Sequence, residues 1–284
     1  MSNLLRTLIY NEQVSLTLAN TTKIVQEGIT RHHLSAASAK VFGRAISAMT
    51  FMSACLKGET GEISLSIKSD GEMGEIGVSG NRKLHLRGYI LNTNAEGKDE
   101  AAEKSCFGRE GALTIIRDDG YSRPFVGSCA IPENGGVDEA FEEYFRISEQ
   151  LPTRISTVVE LDENGNCVYA GVVALQLLPF ADAQTQEQVA NADLNMLLQD
   201  VKAMGVEGCA KEHFSTVEKV WELREAQYQC NCSREYLLGV LASLGEKQMR
   251  QIIAEDGVLS VHCHYCNTDY SFGERDADQL FHAK

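Results

Sequence analysis

Proline is scarce in this chain of 284 residues, which contains 4 prolines and a single tryptophan. So little proline excludes a collagen-like chain and a proline-rich disordered one. The chain also lacks any apolar run approaching the roughly 18 residues that span a bilayer. Its first twenty residues contain no apolar stretch of signal-peptide length. We therefore expect a cytoplasmic protein that has no membrane partner.

Positive charge is also in short supply, because 26 Lys and Arg residues stand against 40 Asp and Glu residues and the net charge is −14. Most nucleic-acid binders attract phosphates with a basic patch, and this sequence has no obvious one. The phosphate-binding pattern G-x-x-x-x-G-K-[ST] is absent, as are H-E-x-x-H and G-x-S-x-G. We therefore expect no nucleic-acid partner, no use of ATP and no enzyme activity.

What is present is a globular composition, with 43% apolar residues and both helix and strand periodicities. Residues 14–18 alternate as a strand does, and Asn164-Gly165 between two apolar runs predicts a hairpin. The Ala-rich segment 35–56 predicts a helix, and Asp138 is a candidate N-cap for another. The order of elements favours an α+β fold over a regular βαβ repeat.

The segment after Pro179 changes in character. Four apolar residues have helical spacing, at i, i+3, i+4 and i+7: Leu194, Leu197, Leu198 and Val201. Beyond a predicted break at Gly205 and Gly208, a second helical stripe is predicted at Phe214, Val217, Val220 or Trp221, and Arg224. Two interpretations are open: an ordinary pair of surface helices, or a docking segment that covers apolar surface on the preceding domain.

The nine cysteines divide by spacing into two groups. Five stand alone, tens of residues apart: Cys55, Cys106, Cys129, Cys167 and Cys209. The other four form C-x-C, then a gap, then C-x-x-C: Cys230, Cys232, Cys263 and Cys266. Because the cytosol keeps thiols reduced, a nine-cysteine disulfide scaffold is not expected there.

The second group has the spacing of a zinc site. A tetrahedral zinc ion needs four thiolates in one small volume, and two close pairs brought together by a folded insert supply them. In an extended C-x-C both sulfurs point to the same face, because side chains repeat every second residue. The same parity directs His262 and His264 away from Cys263. We therefore predict one zinc ion on Cys230, Cys232, Cys263 and Cys266.

Such a site has more than one possible role. Many four-cysteine zinc sites only hold a small domain together, and residues 230–284 form a segment too short for a secure core of its own. Nucleic-acid binding is common in such modules, but this segment has no basic run. A thioredoxin-like oxidoreductase would place its C-x-x-C at a helix N-terminus, whereas here strands are predicted on both sides of the motif.

A comparison of the free energy of zinc binding with the stabilisation from two short-range disulfides favours a redox role. Structural zinc contributes roughly 10 to 16 kcal/mol of apparent binding free energy, which in such modules is folding free energy. Disulfides within C-x-C and C-x-x-C close very small loops and so restrict the unfolded chain least. Exchanging the zinc ion for two such disulfides should leave the segment unstable. Because zinc-bound thiolates remain open to oxidants, the cluster can act as a sensor whose output is unfolding.

The sequence resembles the thirty-three-kilodalton heat-shock protein family, whose members are redox-regulated holdase chaperones. The matching stretches occur in family order across the chain: 69–90 (SDGEMGEIGV to LHLRGYI), 144–153 (YFRISEQLPT), 170–180 (AGVVALQLLPF), CNC at 230–232 and CHYC at 263–266. The resemblance implies an N-terminal α+β domain, a metastable helical linker and a small C-terminal zinc domain. We place their boundaries at 1–180, 181–229 and 230–284.

The resemblance also implies a mechanism. While reduced, the four cysteines keep the protein inactive; peroxide or hypochlorous acid, with heat, pairs Cys230 with Cys232 and Cys263 with Cys266 and releases zinc. The linker then loosens and exposes apolar surface that holds unfolding client proteins, typically as a homodimer. We assign the docking face of the linker to Leu194, Leu197, Leu198, Val201, Val217 and Trp221. The five lone cysteines are expected to be buried or partly buried small apolar residues.

Overall fold

The structure is a computed structural model that describes residues 2–133, 135–214 and 222–282. The chain forms two compact units, Met1–Gln229 and Cys230–Lys284. Both contain strands and helices, so the predicted α+β class is confirmed. Among the described residues, no helix is long and apolar enough to cross a membrane.

The described elements of the first unit are, in chain order, β1 (Leu4–Ile9), β2 (Val14–Asn20), α1 (Thr22–His32), α2 (Ala36–Ala54), β3 (Glu62–Ser69), β4 (Glu75–Asn81), β5 (His85–Ile90), α3 (Glu100–Phe107), β6 (Gly111–Asp118), β7 (Phe125–Ala130), α4 (Val137–Tyr144), a π-helical turn (Phe145–Glu149), β8 (Thr153–Leu161), β9 (Cys167–Leu177), α5 (Ala183–Ala190), α6 (Leu194–His213), β10 (Glu222–Arg224) and β11 (Gln227–Tyr228). The second unit contains α7 (Arg234–Leu241), a 3₁₀ turn (Ala242–Leu244), α8 (Glu246–Asp256), β12 (Leu259–Cys263), β13 (Thr268–Phe272) and α9 (Glu274–His282).

The described residues of the first unit form two sheets. Their strand orders are β10-β1-β2-β9-β8 and β11-β5-β4-β3-β6-β7. Neighbouring strands are antiparallel except for β11, which runs parallel to β5. Helix α2 is buried along almost its whole length and contacts strands of both sheets. A helix that is apolar on every side belongs in the centre of a core, and α2 forms the centre of the main cluster.

The sheet that contains β2 is covered on both faces. One face packs on α1 and α2, whereas α5 and α6 cover the other. Strand β2 accordingly has buried side chains at every position from Val14 to Ala19, without the alternation of a half-exposed strand. The first unit therefore has a second apolar cluster, which lies between this sheet and the helices after residue 180.

Several sequence predictions need correction. Asp138 does not cap a helix, since Gly136 is the N-cap of α4 and the Asp138 carboxylate accepts hydrogen bonds from Thr157. The stripe predicted to continue to Arg224 is not helical there, because that residue lies in β10. Gly205 does interrupt α6, with φ 76° and ψ 172°, whereas Gly208 lies within the helix after this break. Val217, Val220 and Trp221 lie outside the described residues.

Candidate metal centre

The four cysteines of the second unit lie on two chain segments. Cys263 ends β12 and Cys266 lies in the turn before β13, where the Cys266 N–H donates to the Cys263 carbonyl at 3.3 Å. Asn267 completes this turn with a φ of 52°, a left-handed conformation that asparagine tolerates. Cys230 and Cys232 precede α7, whose first turn is capped by Ser233. The two motifs thus meet at one end of the β12–β13 hairpin.

The geometry of the four sulfurs fits a tetrahedral thiolate site. All four Sγ atoms lie within 4.8 Å of one another. The Cys230 and Cys263 sulfurs are 3.8 Å apart, and those of Cys232 and Cys266 are 3.1 Å apart. Zinc–sulfur bonds of about 2.3 Å place tetrahedral sulfurs about 3.8 Å apart. Every described cysteine is a free thiol. The four residues can therefore hold a metal ion, and their donor chemistry suits zinc.

Local hydrogen bonds make the four thiols unequal. Burial opposes ionisation of Cys232, but hydrogen bonds from the Tyr270 hydroxyl and the neighbouring thiols outweigh it and lower its pKa to about 7. The Tyr270 Oη lies 3.3 Å from the Cys232 sulfur. Burial raises the pKa of Cys230 to about 11, and burial likewise raises the pKa of Cys266. Without a cation, one thiolate forms readily and its neighbours resist ionisation, as expected where negative charges crowd together.

The two histidines beside Cys263 lie outside the cysteine cluster. His262 Nδ1 is 2.7 Å from a carboxylate oxygen of Asp269 on the paired strand. Its ring packs edge to face on His264, with centroids 5.0 Å apart. These positions agree with the parity argument from the sequence.

The core of the second unit is small. Its buried residues are Leu241, Met249, Ile253, Leu259, Phe272 and Ala277. One Arg234 guanidinium nitrogen donates to both carboxylate oxygens of Asp276, and the guanidinium carbon lies 4.7 Å from the centroid of the Phe272 ring. Surface ion pairs contribute at most about 1 kcal/mol each, so they do not replace a larger core. The unit is therefore of the size that depends on cross-links or a metal ion.

The apolar stripe predicted on α6 is buried against the sheet. Leu194, Leu197, Leu198 and Val201 belong to one cluster with residues of β1, β2 and β9, such as Leu5, Leu16 and Val173. After the interruption at Gly205, Val206, Cys209 and Ala210 continue the same contact. Val217 and Trp221, predicted for the same face, lie outside the described residues.

The five lone cysteines are far from the cluster in sequence and lie mostly in apolar surroundings. Cys106, Cys129, Cys167 and Cys209 are buried, and Cys55 is partly exposed. Burial raises the pKa of Cys106 and Cys129 to about 11, and that of Cys167 and Cys209 to about 12. Their thiolate fractions at neutral pH are therefore very small.

Tyr270 is the site residue that the sequence reasoning missed. Cys263 pairs with Thr268 across the hairpin, and Val261 pairs with Tyr270. Because side chains two residues apart share a face, Tyr270 lies on the Cys263 face of the hairpin. Once the hairpin was predicted, its register and this parity could have identified the tyrosine.

Comparisons with known proteins agree with this layout. A family model described as Hsp33 protein matches residues 2–273. The 33 kDa chaperonin of Bacillus cytotoxicus is 30% identical over 98% of this chain and 97% of its own length, and that of Bacillus mycoides is 31% identical with the same coverage. The crystal structure of the 33 kDa chaperonin of Thermotoga maritima superposes with a TM-score of 0.83 at 24% identity, over 98% of this chain and 97% of that one.

Proposed function

The chain belongs to the Hsp33 family of chaperones, and from this premise we propose that it is an ATP-independent holdase activated by oxidation. Its partners are unfolding client proteins, whose aggregation it prevents. It is located in the cytoplasm, and once activated it acts as a homodimer. The observation that carries the proposal is the cluster of Cys230, Cys232, Cys263 and Cys266, with all sulfurs within 4.8 Å.

In the reduced form the four cysteines hold one zinc ion per chain. When bound, zinc supplies the cation that lets four crowded sulfurs stay ionised together and ties C-x-C to C-x-x-C. The raised pKa values of Cys230 and Cys266 support this role, since those thiols need a nearby cation to ionise at neutral pH. The small core of residues 230–282 then depends on the site for its stability.

Oxidation joins Cys230 to Cys232 and Cys263 to Cys266. Each disulfide forms as two thiolates lose two electrons, which together with two protons from solvent reduce one hydrogen peroxide to two waters. The proposed pairing follows the family, because all four sulfurs are close enough that distance alone does not select partners. Disulfide sulfurs do not bind zinc as thiolates do, so the ion is released and the small unit unfolds.

Unfolding then spreads to the linker, which we place at 181–229 between an N-terminal domain (1–180) and the zinc domain (230–284). Gln229 directly precedes Cys230, so loss of the zinc domain frees the end of the linker. Release of α5 and α6 would expose the apolar face of the sheet that contains β1, β2 and β9, together with Leu194, Leu197, Leu198 and Val201. An apolar surface of this kind suits unfolded chains, which expose apolar side chains themselves.

The test is a count of zinc and free thiols before and after peroxide treatment at elevated temperature. Light scattering of a thermally unfolding client is followed in parallel. The proposal expects one zinc ion to leave as four thiols disappear, with scattering suppressed only afterwards. Peptide mapping should find Cys230 with Cys232 and Cys263 with Cys266.

The hypothesis of a purely structural zinc site predicts the opposite result. Zinc and thiols would then survive the oxidant, or the client would aggregate regardless of zinc release. Either result would overturn the redox-activated mechanism while leaving family membership intact.

A further inference from the structure

The last residues of the first unit form an extended segment that we call the strap, Glu222–Gln229. Its first part is β10, which pairs antiparallel with Leu4–Arg6 of β1 at the end of one sheet. Its last part includes β11, which pairs parallel with β5 at the end of the other sheet. A single short segment thus covers the terminal strand of both sheets. Without it, β1 and β5 would present open backbone edges.

The strap is attached mainly through its backbone. The Asn3 N–H donates to the Arg224 carbonyl at 3.1 Å, and the N–H groups of Gln227 and Gln229 donate to Leu84 and Leu86 at 3.0 and 2.8 Å. Backbone pairing of this kind accepts many sequences, because it uses groups that every residue carries. The surface that receives the strap consists of Asn3, the outer edge of β1, Leu84 and the outer edge of β5, and we call it the strap seat.

At the centre of the strap seat, the Asn3 side chain makes a double hydrogen bond with the backbone of Ala226. Its Nδ2 donates to the Ala226 carbonyl at 2.9 Å, and its Oδ1 accepts from the Ala226 N–H at 2.7 Å. The amide group therefore recognises an extended backbone as a neighbouring strand would. The Ala226 side chain is 4% exposed and packs on the main core, so this position accepts only a small residue.

Two residues further on, Tyr228 packs its ring against the main core. Its hydroxyl donates to the Gly88 carbonyl at 3.2 Å and lies 3.3 Å from His32 Nε2. The Arg31 guanidinium carbon is 5.6 Å from the ring centroid, within reach of a cation–π contact. The strap seat therefore combines a small-residue position with an aromatic position two residues away.

We propose that the strap seat is a peptide-binding site which the strap blocks in the resting protein, and which binds an extended segment of an unfolding client with a small residue followed two positions later by an aromatic one. The strap itself supports this occupant, because it shows an extended chain pairing with both edges and filling both positions. In the strap, Ala226 is buried while Leu223, Glu225, Gln227 and Gln229 are exposed. Besides the contacts of Ala226 and Tyr228, Glu222 pairs with Arg82 and an Arg224 nitrogen donates to the Arg82 carbonyl. A client segment that pairs its backbone with both edges and fills the two positions competes with the strap for the same groups.

The release of the strap rests on the proposed function, since Gln229 is joined directly to Cys230 of the redox-sensitive unit. Binding to the strap seat is tested without oxidation, in reduced and zinc-loaded full-length protein. Ala226→Glu places a charge at the buried position and should displace the strap, because burying an unpaired carboxylate is unfavourable. Tyr228→Ala weakens the strap by a different route and serves as the second variant. Leu223→Glu is the matched control, since Leu223 is 39% exposed.

Fluorescence anisotropy measures binding of two labelled peptides. One copies the strap (ELREAQYQ), and the other shares only its small-x-aromatic pattern (TVSTAVFT). Both peptides should bind the Ala226→Glu and Tyr228→Ala variants, and neither should bind wild type or Leu223→Glu. Adding Asn3→Ala to either binding variant should raise the Kd about tenfold, as expected for loss of the paired amide hydrogen bonds. Replacing the tyrosine of the strap peptide with serine should have a similar effect.

Several results would overturn the proposal. Absence of binding to both strap variants, or binding that is insensitive to Asn3→Ala, would show that the strap seat is not a peptide site. Binding of the strap copy alone would restrict the strap seat to its own segment. A strap-exchanged dimer that excludes both peptides would make a second copy of the chain the occupant. Failure of oxidant activation alone would overturn the proposed function and leave this binding result unaffected.

Discussion

Asp138 is a carboxylate whose surroundings give it an unusual proton affinity. Burial raises its pKa to about 6, although Arg44 and two hydrogen bonds from Thr157 act in the opposite direction. The nearest Arg44 nitrogen is 3.6 Å from its Oδ2 atom. Because the folded protein holds this proton more tightly than the unfolded chain does, the site favours folding at low pH. That contribution is complete below about pH 4 and disappears as the pH rises through about 6.

We expect Asp138→Asn to remove this part of the pH dependence. Between pH 7 and pH 5, protonation of Asp138 should add on the order of 1 kcal/mol to wild-type stability, and the variant should lack this gain. Urea unfolding at the two pH values measures the difference. Glu163→Gln, a change of an exposed carboxylate with the same loss of charge, is the control. Equal pH dependence in wild type and Asp138→Asn would contradict the assignment.

The lone cysteines lead to a second prediction at this scale. Replacing Cys55, Cys106, Cys129, Cys167 and Cys209 together with alanine should preserve one zinc ion per chain and activation by peroxide, because the buried thiols are scarcely ionised. The cost should appear as lower stability, from the small cavities left at the buried positions. Zinc content and client light scattering are the measurements. Loss of peroxide activation in a folded variant would assign a redox role to one of the five.

At the scale of elements, α6 is the helix on which the proposed linker release depends. Leu197 and Val201 are buried against the sheet, whereas Met196 and Met204 on the same helix are 45% and 46% exposed. The helix is interrupted at Gly205, whose φ and ψ values are accessible essentially to glycine alone. The contact is therefore made by two short helical pieces, neither long enough to be stable alone.

We expect Leu197→Asp with Val201→Asp to give holdase activity without oxidant. Each buried aspartate should destabilise the docked helix by about 3 kcal/mol or more, through lost apolar burial and an unpaired charge. Met196→Asp with Met204→Asp adds the same charge at exposed positions and should remain inactive while reduced. Suppression of client light scattering measures the difference. A folded Leu197→Asp, Val201→Asp variant without activity would reject the docking face.

At the scale of the whole molecule, the two compact units differ in what stabilises them. The first unit has two extensive apolar clusters, whereas the second has a few buried side chains and the cysteine cluster. Because the apolar core grows with the number of residues, the short unit gains least from burial. Its folding should therefore depend on the metal, and that of the first unit should not.

Removal of zinc by a chelator under reducing conditions should unfold residues 230–284 while the sheets of the first unit stay folded. Structural zinc contributes roughly 10 to 16 kcal/mol in modules of this kind, which exceeds what such a core supplies alone. Limited proteolysis with mass spectrometry should then show new cleavage in this unit, while the sheets of the first unit stay protected. Chelator saturated with zinc is the control. An unchanged cleavage pattern would show that the unit folds without metal.

The sequence by itself determined the local features. C-x-C and C-x-x-C spacing identified the four cysteines that lie together, because residue spacing fixes which side chains share a face. The alternation in residues 14–18 predicted β2, and the Ala-rich segment predicted α2. The apolar stripe on α6 likewise marked the residues that are buried. These features follow from periodicity and short-range geometry, which a sequence contains directly.

Only the tertiary structure decided which distant segments meet. It brought Asn3 to Ala226 and placed β10 and β11 at the ends of two different sheets. It also showed that Asp138, predicted to cap a helix, instead forms a partly buried pair with Thr157. Such contacts join residues tens to hundreds of positions apart, and their sequences carry no shared periodicity. Backbone pairing in particular uses N–H and C=O groups that are common to every residue. The sequence therefore does not identify which strands pair, and the folded structure does.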